Sequence, residues 1–156
     1  MKFSFVLVLA VAALLLVSAP ATRAQGVRTG PDPSTLRDPD LEKDSHHNLE
    51  VAKNYFRLKK AYVAALKRCE EIIAGNPNFA KIDEVLFMAG QSSLWLADKK
   101  GKQKPDLYVV FEDGVKRTLT PEQFREMGQG YLNKLITDFP DSRFVTEARE
   151  ALSPKP

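Results

Sequence analysis

The chain has 156 residues and carries 23 Lys and Arg against 20 Asp and Glu, a formal net charge of +3. That length allows one domain once an apolar leader is set aside. Lys2 and Arg23 lie in the leader, and without them 21 basic residues face 20 acidic ones. Near-neutrality excludes a nucleic-acid reading by charge, and Cys69, the only cysteine, excludes an internal disulfide.

Lys2 precedes an almost wholly apolar run at 3–17, and 18–24 turns small and polar. This is the three-part pattern of a secretory signal peptide over 1–24. Thr22 and Ala24 favour cleavage before Gln25, and Ala19 and Ala21 offer a second site. The alternative is an uncleaved anchor, but the run is shorter than the ~20 residues that span a bilayer. No cysteine lies near the cleavage region, so a lipid anchor is not expected. Residues 25–40 are rich in Pro, Gly, Asp, Thr and Arg and read as a tether. Residues 153–156 read as a similar tail.

Five helical segments are predicted between these ends. In the first, 41–58, Leu49, Ala52, Tyr55 and Phe56 share a face at helical spacing. Lys59 and Lys60 mark a tight junction. The second runs to residue 74 with Tyr62, Ala65, Leu66, Cys69, Ile72 and Ile73 on its stripe. Gly75, Asn76 and Pro77 stop it, because Gly accepts a left-handed cap and Pro cannot continue a helix. The third, 80–97, has one stripe through Ile82, Val85, Leu86, Ala89, Ser93, Leu96 and Ala97. Phe87, Met88, Leu94 and Trp95 form a second apolar sector, so both sides are expected to be covered.

Residues 98–120 interrupt the helices. Their first part is a charged loop expected to be mobile. Their second part reads as a β-hairpin, 107–111 and 115–119, because Asp113 and Gly114 suit the positive φ of a hairpin turn. The fourth helix opens with Thr120, Pro121 and Gln123, the residues of a capping box with Pro in the first turn. Phe124, Met127, Gly128, Tyr131, Leu132, Leu135 and Ile136 continue it to Pro140. The fifth, 142–152, buries Phe144, Val145, Ala148 and Leu152 and keeps a charged outer face, as a terminal cap does.

The segment starting at Cys69 is echoed 63 positions on, starting at Leu132, with Pro77 and Pro140 in register. Such internal repetition marks stacked helical hairpins. The first unit sets Leu49, Ala52, Phe56, Ala65, Cys69, Ile72 and Pro77 at the signature places of a tetratricopeptide repeat. Tyr62 and Ala65 resemble its Tyr-x-x-Ala element. The second unit sets Leu86, Ala89, Gly90, Ser93, Gly128, Leu132, Leu135 and Pro140 there. The domain 41–152 therefore resembles an all-α, tetratricopeptide-like stack of about two repeats plus a C-terminal capping helix, with a small β-hairpin insertion. Behind a signal peptide, the phrasing is similar to BamD-like outer-membrane assembly lipoproteins and to periplasmic repeat proteins of the Tol-Pal and cell-division system. The resemblance implies an exported, non-catalytic scaffold in the periplasm, associated with the outer membrane. Its partners would be envelope proteins, as an adaptor in outer-membrane assembly or, alternatively, in the Tol-Pal system.

Little in the chain suggests chemistry. His46 and His47 are adjacent and point about 100° apart on a helix, which is not a metal clamp even with Asp44 and Glu50 nearby. A small secreted metal protein or enzyme built on them is the contrasting reading. Glu70, Glu71, Asp83 and Glu84 are expected on outward faces or in a first helical turn. Cys69 reads as a small buried hydrophobe. No Gly-rich phosphate loop is present, and no cofactor is expected.

The candidate partner-binding residues are Trp95, Tyr108, Phe111, Lys99, Lys100 and Lys102. Lys99, Lys100, Lys102 and Lys104 form a basic run that either solvates the insertion or meets an acidic partner or anionic lipid headgroups. Trp95 is either core or hot spot. The strand at 108–111 has bulky residues on both faces, so one face can pack while the other meets a partner. Its edge could also accept an extended peptide.

Overall fold

The computed structural model describes residues 37–153. The stretches expected to be a signal peptide (1–24), the tether up to residue 36 and the tail beyond 153 lie outside the described residues. Those described form five α-helices and one antiparallel hairpin. They are α1 (Pro39–Lys53), α2 (Tyr62–Gly75), α3 (Ile82–Ala97), β1 (Val109–Glu112), β2 (Val115–Thr118), α4 (Pro121–Asp138) and α5 (Val145–Leu152). Helices adjacent in sequence pack on each other, most extensively α3 on α4.

Helix α1 starts two residues before the expected position, within the stretch assigned to the tether. Asp38 Oδ1 accepts from Asp40 N at 2.9 Å and Leu41 N at 3.4 Å, and Pro39 takes the first helical position. The far end widens into a π-helical turn, Asn54–Lys59, closed by Lys60 at φ 49°. Ala61 N donates back to Tyr55 O at 2.9 Å. That is the tight junction expected at Lys59 and Lys60.

The two proline turns correspond bond for bond. After α2, Asn76 N donates to Ile72 O, Phe79 N to Asn76 O and Ile82 N to Phe79 O, at 2.8, 3.1 and 3.0 Å. After α4, the same bonds join Phe139 to Leu135, Ser142 to Phe139 and Val145 to Ser142, at 3.0, 3.0 and 3.1 Å. Every partner in the second set stands 63 positions after its counterpart. The sequence echo is thus a repeated helix–turn–helix corner.

Helices α3 and α4 meet where glycine removes the side chain from both. A Cβ on Gly90 would lie 2.6 Å from Leu132 Cδ2, and one on Gly128 would lie 2.9 Å from Gly90 O. Leu66, Cys69, Val85, Leu86, Phe124, Leu132 and Leu135 are almost wholly buried in one core. Phe87 stacks on Phe144 at 4.9 Å, so the start of α5 covers one end of the second sector of α3, while Trp95 at its other end packs on Phe56 and Tyr62.

Glu84 lies in the first turn of its helix, as expected, but it is not solvated, and Glu70 departs from the outward placement expected of it. Glu84 is buried at 6% exposure, 3.2 Å from Lys53 Nζ and 3.8 Å from Arg143 Nη2. Its position in the first turn of α3 faces both α1 and the start of α5, so two cations compensate its desolvation. Glu70 is half-buried for a reason that belongs to the insertion.

Candidate functional site

The insertion is tied to the helices along its length. Gly101 adopts φ 92°, and a Cβ there would fall 2.7 Å from Lys60 O and 2.5 Å from the Tyr62 ring. Lys102 N donates to Lys60 O at 2.9 Å, and Ala64 N donates to Gln103 Oε1 at 3.0 Å. The loop expected to be mobile is therefore pinned to the corner between α1 and α2. Gln103 serves as a side-chain cap for one of the free N–H groups at the start of α2.

A short 3₁₀ turn, Pro105–Leu107, leads into β1, so Leu107 belongs to a turn rather than to the strand expected to start there. The strands pair antiparallel, Val109 with Thr118 through Glu112 with Val115. Asp113 and Gly114, at φ 51° and 75°, make the two-residue turn.

Tyr108 anchors this unit. It is 6% exposed, its ring meets Phe124 edge-on at 5.4 Å, and its hydroxyl donates to Glu70 Oε1 at 2.6 Å. Tyr131 Oη donates to the same oxygen at 3.3 Å. Burial raises the Glu70 pKa above the usual carboxylate value, and the two hydroxyls oppose that rise. Both tyrosines are pushed up, first by burial and then by the nearby carboxylate.

These contacts redistribute the candidate residues. Tyr108 is not a surface residue, because its ring and hydroxyl are used inside the protein. Trp95 is also engaged, stacked on Phe56 at 4.9 Å and against Tyr62 at 4.6 Å. Phe111 is 74% exposed. Lys99, Lys100 and Lys102 are exposed, with Lys100 Nζ 3.2 Å from Asp98 Oδ2. Lys99, Lys102 and Lys104 line an open cleft of about 500 Å³ beside Phe124 at the start of α4. The structure thus brings the lysines and Phe111 onto one insertion and draws Trp95 and Tyr108 inward.

Glu70 and Tyr131 were not among the candidates. Glu70 follows Leu66 by four positions and precedes Ile73 by three, which places it beside the apolar stripe. Its neighbour Glu71 made the pair look like a solvated surface.

Elsewhere, a wider cleft of about 700 Å³ lies between the two proline turns, lined by Phe79, Asp83, Phe139 and Asp141 among others. His46 packs edge-on against Phe79 at 4.9 Å. Among the described residues no group of three or more His, Cys, Asp and Glu has the geometry to hold a metal ion. Cys69 is fully buried and its thiol pKa is pushed up by burial, which disfavours the reactive thiolate. No described helix is long and apolar enough to cross a membrane. No family model, curated protein or solved structure matches the chain.

Proposed function

We propose that the chain is a non-catalytic protein-binding scaffold built on tetratricopeptide-like helical hairpins, exported to the periplasm as an adaptor in outer-membrane protein assembly. The observation that carries the binding role is the anchored hairpin. Tyr108 is committed to Glu70 and Phe124, while Phe111, three positions on, is 74% exposed. A rigidly held hairpin presenting an unburied aromatic loses little conformational freedom when it binds. Large aromatics supply a disproportionate share of interface energy. The close Gly90–Gly128 contact and the repeated proline corners support the repeat reading. The apolar leader and the resemblance of the sequence support the envelope location.

Replacing 109–118 by a short Gly-Ser link tests the proposal. Envelope proteins retained by the full chain are expected to be lost, while helicity and cooperative unfolding persist. Equal retention of the same proteins by the shortened chain would overturn the hairpin as the binding element.

A further inference from the structure

The exposed edge of β2 has a definite chemistry. Glu112 and Val115 flank a two-residue turn, so they exchange both ladder bonds. The alternation then turns the backbone N–H and C=O of Lys116 and Thr118 away from β1, and those of Arg117 toward it. All four residues of β2 are exposed, and the sheet ends at β2. Among the described residues, the outward groups of Lys116 and Thr118 are therefore open to another strand.

The side chains give that edge a sign. Lys116 stands directly across from Phe111 and shares its face. Among the described residues no ion pair engages it. Arg117 occupies the opposite face, with its Nε 3.6 Å from Glu112 Oε2 across an exposed pair. An added strand would place successive residues opposite Lys116 and Arg117. Like charges placed opposite each other destabilise a ladder. A second copy of β2 run antiparallel along this edge can pair outward residues only with outward ones, so the near-centred registers set Lys116 opposite Lys116 or Arg117 opposite Arg117. An acidic strand meets both.

We propose that the outer edge of β2 accepts an extended, acidic segment of a protein partner by strand addition. Backbone bonds to Lys116 and Thr118 would supply the docking, and acids opposite Lys116 and Arg117 the selectivity. This rests on the scaffold reading and names the class of segment that the hairpin would take.

The test is selection of a random twelve-residue peptide library on the immobilised full chain. Hydrogen exchange of the complexes then locates each peptide. Selected peptides are expected to be rich in Asp and Glu, poor in Pro, and to protect the Lys116 and Thr118 amides. Lys116→Glu and Thr118→Pro should each weaken them at least about 10-fold. The proline removes an outward N–H and leaves the β1–β2 ladder intact. Peptides without acidic bias, or peptides that protect helical amides instead, overturn strand addition and leave the scaffold reading standing. A concentration-dependent dimer abolished by Lys116→Glu also overturns it, assigning the edge to a second copy. A library that yields no binder overturns it as well, and the hairpin replacement then decides the scaffold reading independently.

Discussion

Tyr108 Oη donates to Glu70 Oε1 at 2.6 Å, joining the first residue of the hairpin unit to the middle of α2 across 38 positions of sequence. Tyr131 Oη reaches the same oxygen from α4 at 3.3 Å. One half-buried carboxylate thereby connects two helices and the insertion. An isolated two-stranded hairpin is marginal in water, so its position depends on this anchor.

Tyr108→Phe keeps the ring against Phe124 and removes the hydroxyl. Hydrogen bonds to charged groups contribute about 1.5–3 kcal/mol. Tyr131 still solvates Glu70, so the expected loss is about 1–2 kcal/mol, at the low end of that range. Denaturant unfolding measures it, and amide exchange should accelerate in 109–118 more than in α2.

Glu70 also sets a pH dependence. Its folded pKa lies above 4.5 because of burial. The folded chain therefore holds this proton more tightly than the unfolded chain, and stability falls as pH rises through the interval between the two values. The stabilising contribution is full below about 4.5 and is lost above the folded value. Glu70→Gln should flatten this part of the stability profile. An unchanged slope in urea titrations from pH 4 to pH 7 would contradict the assignment.

The glycines of α3 and α4 separate packing from propensity. Gly90→Ala places a methyl 2.6 Å from Leu132 and should cost about 1–3 kcal/mol, the usual range for overpacking. Gly130→Ala, on α4, meets no neighbouring group within 4 Å. It should stabilise by about 0.5–1 kcal/mol, as replacement of a helical glycine does. Thermal unfolding of the two variants should move in opposite directions.

Gly101→Ala tests the pinning of the lysine loop. Its φ of 92° and its contact with Lys60 O leave no room for a side chain. The substitution should release the loop and speed tryptic cleavage at Lys99, Lys100 and Lys102 several-fold, with the helices still intact.

Local signals were readable in the sequence. Thr120 and Gln123 form the reciprocal capping box, at 3.3 and 2.8 Å. Asp113 and Gly114 form the hairpin turn, and the paired prolines mark equivalent corners. What was not readable depends on residues far apart in the chain. Bulky groups on both faces of 108–111 hide which face turns inward, and that choice is made where Tyr108 meets Glu70 and Phe124. Gly101 and Gln103 looked like parts of a solvated loop because their partners, Lys60 and Ala64, lie about forty positions away. The first-turn position of Glu84 is legible, but its burial is not, because Lys53 and Arg143 come from opposite ends of the domain.

The anchored hairpin is the surface proposed to meet a partner. Photo-crosslinking in envelope preparations is the test, with the crosslinker placed at Phe111 and, for comparison, at Leu58, which is 77% exposed in the π-helical turn after α1. The account predicts a discrete protein adduct from position 111 and none from position 58. Adducts from position 58 with none from position 111 would contradict it.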